Sequence, residues 1–73
     1  MGTMAIPDAT GHTATSWRVD DAASVASAAT LFDDLRARHL VPFARVGAGD
    51  FEQARSFDAE VDEIMWVRPL QGG

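Results

Sequence analysis

The stretch Asp62-Glu63-Ile64-Met65-Trp66-Val67-Arg68-Pro69-Leu70-Gln71-Gly72-Gly73 decides how this chain is read. Its first half holds an unbroken apolar run, Ile64 to Val67, between an acidic pair and Arg68-Pro69. A short apolar run with such sharp ends predicts a central strand covered on both faces or nearly so. After Pro69 the character changes. Leu70-Gln71-Gly72-Gly73 has no hydrophobic period, and adjacent glycines lose backbone entropy on ordering with no side-chain contact in return. The expected division is one domain over residues 1–69 and a flexible tail over residues 70–73.

Upstream of this stretch the dominant signal is helical. Val25, Ala28, Ala29, Phe32, Leu35 and His39 recur at intervals of three and four, which gathers them into one stripe on an α-helix reaching about His39. Asp33, Asp34, Arg36 and Arg38 fall outside the stripe and are expected to face water. Asp20, Asp21 or Ser24 suits the start, because a short side-chain oxygen accepts the free amide hydrogens of a first turn. An acidic start and a basic end suit the helix dipole, with His39 at the favoured end. Pro42 cannot continue the helix.

The remaining segments read as strands and turns. Thr13 to Val19 alternates Thr13, Thr15, Trp17 and Val19 against Ala14, Ser16 and Arg18, which is strand periodicity. Met4 to Ile6 is a shorter extended piece, joined to it through the turn formers of Pro7-Asp8-Ala9-Thr10-Gly11 as a hairpin. Met4 is also a second candidate start, so Met1-Gly2-Thr3 is left outside the functional reading. Beyond the helix, Val41 to Val46 and a short run from Phe51 toward Gln53 read as strands paired across a Gly47-Ala48-Gly49-Asp50 turn. Ala54 to Val61 reads as irregular chain or a single helical turn, with Phe57 anchoring it to the core. Strand, strand, long helix, short strands, final strand and free tail is the order of an α+β β-grasp fold, in which a mixed sheet packs on one main helix.

Composition narrows the function. A chain of 73 residues has room for one small domain burying roughly 60% of its unfolded surface, which argues against a deep catalytic cleft. It has no cysteine, and so no disulfide, thiolate zinc site or cysteine nucleophile. An apolar fraction of 47% is that of a folding chain. No apolar run approaches the roughly 20 residues that span a bilayer, and no secretory signal is written at the start, so the expected location is cytoplasmic. The net charge of -5 opposes binding to nucleic acid and to anionic membranes and favours a basic protein partner. All six basic residues are arginines, so the chain has no lysine side chain to form a Schiff base or receive an isopeptide bond.

With those residues in view, the segment Asp62 to Gly73 resembles the end of the ThiS/MoaD-type ubiquitin-like sulfur carriers, in which an acidic pair, an apolar strand and a proline region precede a terminal Gly-Gly. The helix Ala29-Thr30-Leu31-Phe32-Asp33-Asp34-Leu35-Arg36-Ala37-Arg38-His39 and the region Phe43 to Phe51 are similar to theirs as well. The resemblance covers roughly Trp17 to Gly73 and carries its specificity in the last twelve residues. It departs at Val61, where the family often has glycine, and in the weakly written N-terminal hairpin.

The resemblance implies a carrier rather than an enzyme. A partner adenylating enzyme would use ATP to convert the Gly73 carboxylate to an acyl-adenylate, and a persulfide or sulfide would turn that into a thiocarboxylate. A sulfur-accepting synthase in cofactor or specialised biosynthesis, such as that of thiamine or molybdopterin, would then take the sulfur. No cofactor would be held permanently. Gly72 and Gly73 would thread a narrow channel that side chains would block, and a fixed proline angle at Pro69 would limit the entropy lost on insertion. Arg68, Pro69, Leu70 and Trp66 are the expected partner-binding residues.

Other readings of the same residues are structural. His12 and His39 lie far apart with no carboxylate or hydroxyl arranged between them, so no metal site is expected. Asp20-Asp21, Asp33-Asp34 and Asp62-Glu63 are adjacent pairs whose side chains diverge, which suits capping and solvation. Trp17 and Trp66 suit a core better than a base-stacking platform. Two further functions share the same ending: a ubiquitin-like protein modifier, and a small interaction module for which Gly72-Gly73 is incidental.

Overall fold

The computed structural model describes residues 1–8, 11–45 and 49–69. Its order is β1 (Gly2–Asp8), β2 (Gly11–Trp17), α1 (Ala22–Ala37), β3 (Val41–Arg45), β4 (Phe51–Gln53) and β5 (Glu63–Val67). The architecture is α+β: one helix packed on a five-stranded mixed sheet of spatial order β2-β1-β5-β3-β4. The first and last strands meet at the centre. They run parallel, with Thr3, Met4 and Ala5 beside Glu63, Ile64 and Met65, while every other pairing is antiparallel.

Capping fixes the helix at both ends. Asp21 is the N-cap, its Oδ1 accepting from the amides of Ala23 at 3.1 Å and Ser24 at 3.3 Å. This is the reason α1 begins at Ala22. The acidic contribution to the first turn comes from this cap alone, and Arg36 supplies the basic last turn. The helix ends two residues before His39, which adopts a left-handed φ of 69°. The amide of His39 bonds the carbonyl of Arg36 and that of Leu40 bonds the carbonyl of Leu35, the pair of bonds that defines a Schellman stop. Arg38 and Asp34 form an exposed ion pair one turn apart.

Of the expected stripe, Ala28, Phe32 and Leu35 are buried and Val25 and Ala29 half-buried, whereas His39 is exposed. They meet Met4, Trp17, Ala44, Val61, Ile64 and Trp66 from the sheet and its connection. The centre of this layer is aromatic. Phe32 packs edge-on to Trp66 at 5.0 Å between centroids and to Phe57 at 6.0 Å, and Phe57 packs on Trp17 at 5.1 Å. Phe57 therefore anchors the irregular 54–62 connection as expected. That connection is held again by Trp17 Nε1, which donates to the Ala59 carbonyl at 3.0 Å.

Two strand boundaries and the covering of one strand differ from the sequence reading. Strand β2 spans Gly11–Trp17 rather than Thr13 to Val19, and Val19 stands 49% exposed beyond it. Strand β1 begins at Gly2, so the residues before Met4 belong to the sheet: Gly2 is buried against Trp17, and the Thr3 amide bonds the Asp62 carbonyl at 3.1 Å. Strand β5 is covered on one face only. Ile64 and Trp66 point to the helix while Met65 and Val67 are 39% and 36% exposed, because a single helix supplies one covering layer. The pairing of β3 with β4 is as expected, though residues 46–48 of the connecting segment lie outside the described residues.

Candidate functional site

Strand periodicity divides β5 into two sets with different fates. Its inward residues complete the core, and its outward residues line the uncovered face of the sheet. The register assembles that face. Met65 stands opposite Phe43 of β3 and Ala5 of β1, and Val67 stands opposite Val41. Phe43, Val41 and Ala5 are half-buried among these neighbours. The result is a contiguous apolar surface over the central strands, with Phe51 of β4, 37% exposed, at its margin.

A charged boundary closes one end. Arg45 and Glu63 are register partners on the outer face, and Arg45 Nη2 lies 3.3 Å from Glu63 Oε1. The same guanidinium stands 5.9 Å from the centroid of the Phe51 ring, a cation–π contact. Arg45 Nε is buried without a hydrogen-bond partner among the described residues. The arginine is therefore committed to framing the apolar surface.

At the other end β5 runs into Arg68 and Pro69, both exposed. Arg68 makes no ion pair among the described residues. Leu70, Gly72 and Gly73 lie outside the described residues. Trp66, expected on a partner surface, is 2% exposed and packed against Phe32; the inward register of β5 puts its ring in the core. Its neighbours Met65 and Val67 hold the accessible positions instead. The sequence carried a signal for them: Val41 and Phe43 alternate with Pro42 and Ala44 just as Met65 and Val67 alternate with Ile64 and Trp66, and one helix covers only one member of each set.

Among the described residues no group of three or more His, Cys, Asp or Glu is arranged to hold a metal ion, and no helix is long and apolar enough to cross a membrane. What the arrangement offers is an exposed apolar patch framed by one ion pair. Met65 and Val67 lie on the strand that Arg68 and Pro69 follow in the sequence. Compared with known proteins, the chain matches no family model, no curated protein and no solved structure.

Proposed function

We propose that the protein is a sulfur carrier of the ThiS/MoaD type, with a β-grasp fold and a working end at Gly73. The observation that carries the reading is the place of the exposed apolar face: β5 forms it with Val41 and Phe43, and Arg68-Pro69 and then Leu70-Gln71-Gly72-Gly73 follow β5 directly in the sequence. The mixed sheet, with parallel central first and last strands and one helix across it, is compatible with that fold.

In this proposal an adenylating enzyme binds the outer face through Met65, Val67, Phe43 and Val41, and Arg68, Pro69 and Leu70 dock at the mouth of its channel. Apolar contact supplies the adhesion, and the net charge of -5 selects an enzyme surface with a basic rim. The Gly73 carboxylate attacks the α-phosphorus of ATP and pyrophosphate leaves. A sulfur nucleophile then displaces AMP from the acyl-adenylate, leaving the thiocarboxylate. Activation is required because a carboxylate is a poor electrophile, whereas a mixed anhydride with AMP has a good leaving group.

Isotope exchange between pyrophosphate and ATP tests the first step. With a ubiquitin-activating-type enzyme from the same organism, exchange should depend on the chain and vanish when Gly73 is removed. Exchange that persists without Gly73 would contradict the proposal. Transfer of the activated chain to lysines of other proteins would instead favour the modifier reading.

A further inference from the structure

The chain carries three methionines and no cysteine, so its side-chain sulfur is all thioether. The fold gives the three methionines different fates. Met4 is 0% exposed, inside the core beside Ile64. Met1 is 79% exposed ahead of β1, beside Arg18, Val19 and Asp20. Met65 is 39% exposed in the middle of the outer-face patch. Phe43 of β3 and Ala5 of β1 flank it in register, and Val67 follows it on the same face. Met65 is thus open to a small oxidant at a position whose flanking side chains are apolar.

We propose that Met65 is a redox-responsive modification site, at which conversion of the thioether to a sulfoxide detaches the adenylating enzyme from the outer face; the partner half of this inference rests on the carrier reading. With hydrogen peroxide as the oxidant, a lone pair of the Met65 sulfur attacks one peroxide oxygen. The S–O bond forms as the O–O bond breaks, and the departing hydroxide takes the proton of the transferred hydroxyl to leave as water. The thioether loses two electrons and the peroxide gains them. A flexible apolar side chain becomes a polar one. In the free chain, water solvates the new oxygen and the core is untouched. Against an apolar partner surface that water is lost, and Phe43 and Ala5 have no side-chain donor to replace it, so desolvation opposes docking. Arg45, at the boundary of the patch, is already held by Glu63 and the Phe51 ring.

Peroxide treatment of the folded full chain, quenched with catalase and followed by peptide mass mapping, tests the first half. Met1 and Met65 should each gain one oxygen at least about tenfold faster than buried Met4, and the thermal melt by circular dichroism should stay where it was. Met4 oxidised as fast as Met65, or a domain that unfolds when Met65 is oxidised, would overturn the proposal. Calorimetric titration with a ubiquitin-activating-type enzyme tests the second half. The oxidised chain should bind at least about fivefold more weakly than the untreated one, and methionine sulfoxide reductases A and B together, which reduce the two epimers, should restore the affinity. Met65→Leu, compared only with its own untreated affinity, should show no response to peroxide, which separates Met65 from Met1. An oxidised chain that binds like the untreated one, or a Met65→Leu variant that responds as the wild type does, would overturn the inference and leave the carrier reading standing. Failure of the untreated chain to bind would overturn the carrier reading and the partner half with it, while the mass map still decides whether Met65 is the modified site.

Discussion

Gly2 is held by a contact that no other residue can make. A Cβ at this position would stand 2.0 Å from Trp17 Cζ2 and 2.2 Å from Trp17 Cε2, and the indole is 1% exposed and tied to the Ala59 carbonyl. A rigid ring so held has nowhere to go. Gly2→Ala should therefore destabilise the fold by about 2–3 kcal/mol, the upper range for overpacking a well-filled core, as a lower midpoint in urea denaturation. The opposite change is expected at His39, whose φ of 69° is easy for glycine alone: His39→Gly should raise stability by about 1 kcal/mol. The capping carboxylate and Pro42 as a stop were legible in the sequence. Gly2 was not, because nothing local reveals that a tryptophan fifteen residues away in the chain lies across it; only the β1–β2 register does so. His39 was read as the end of the helix because its spacing fits the stripe, and the left-handed stop that displaces it has no signature in hydrophobic periodicity.

Among the elements, α1 and β5 carry most of the structure between them. Phe32 touches both Trp66 and Phe57, so Phe32→Ala removes the centre of the aromatic layer and should cost about 3–5 kcal/mol. That is comparable to the whole stability of a domain this small, and the variant should be largely unfolded by circular dichroism at 37 °C. The outward side of β5 behaves differently. Met65→Glu should change stability by about 0.5 kcal/mol or less, as surface substitutions do, yet weaken binding to the adenylating enzyme by about tenfold or more if Met65 sits at the centre of the contact. Calorimetry on the same variant separates the two effects. A variant that binds like the wild type would remove the outer face from the account. Helix α1, both short strands β3 and β4 and the Phe57 anchor were readable from periodicity and turn residues. The single-sided burial of β5 was hidden, since a continuous apolar run reads the same whether its second face meets a helix, a partner or water.

At the scale of the whole molecule, the described residues form one helix on one face of a five-stranded sheet and leave an apolar patch exposed on the other. Large exposed apolar surface usually marks a site of association. A mixed sheet packed on one helix followed from the order of elements, whereas the strand order and the parallel pairing of first and last strands are seen only in the register. The exposed apolar patch was not legible, because it exists only when Val41, Phe43, Met65 and Val67, from two distant parts of the chain, come into register. The candidate chemistry lies beyond the described residues and was written in the sequence alone, as Gly72-Gly73 after Pro69 and Leu70. The measurement that tests this most directly is the intact mass of the protein after incubation with the adenylating enzyme, ATP and sulfide. The account predicts a gain equal to one oxygen replaced by sulfur, absent when Gly73 is deleted. A mass unchanged with an enzyme shown to bind the chain, or the same gain in the deleted form, would contradict it.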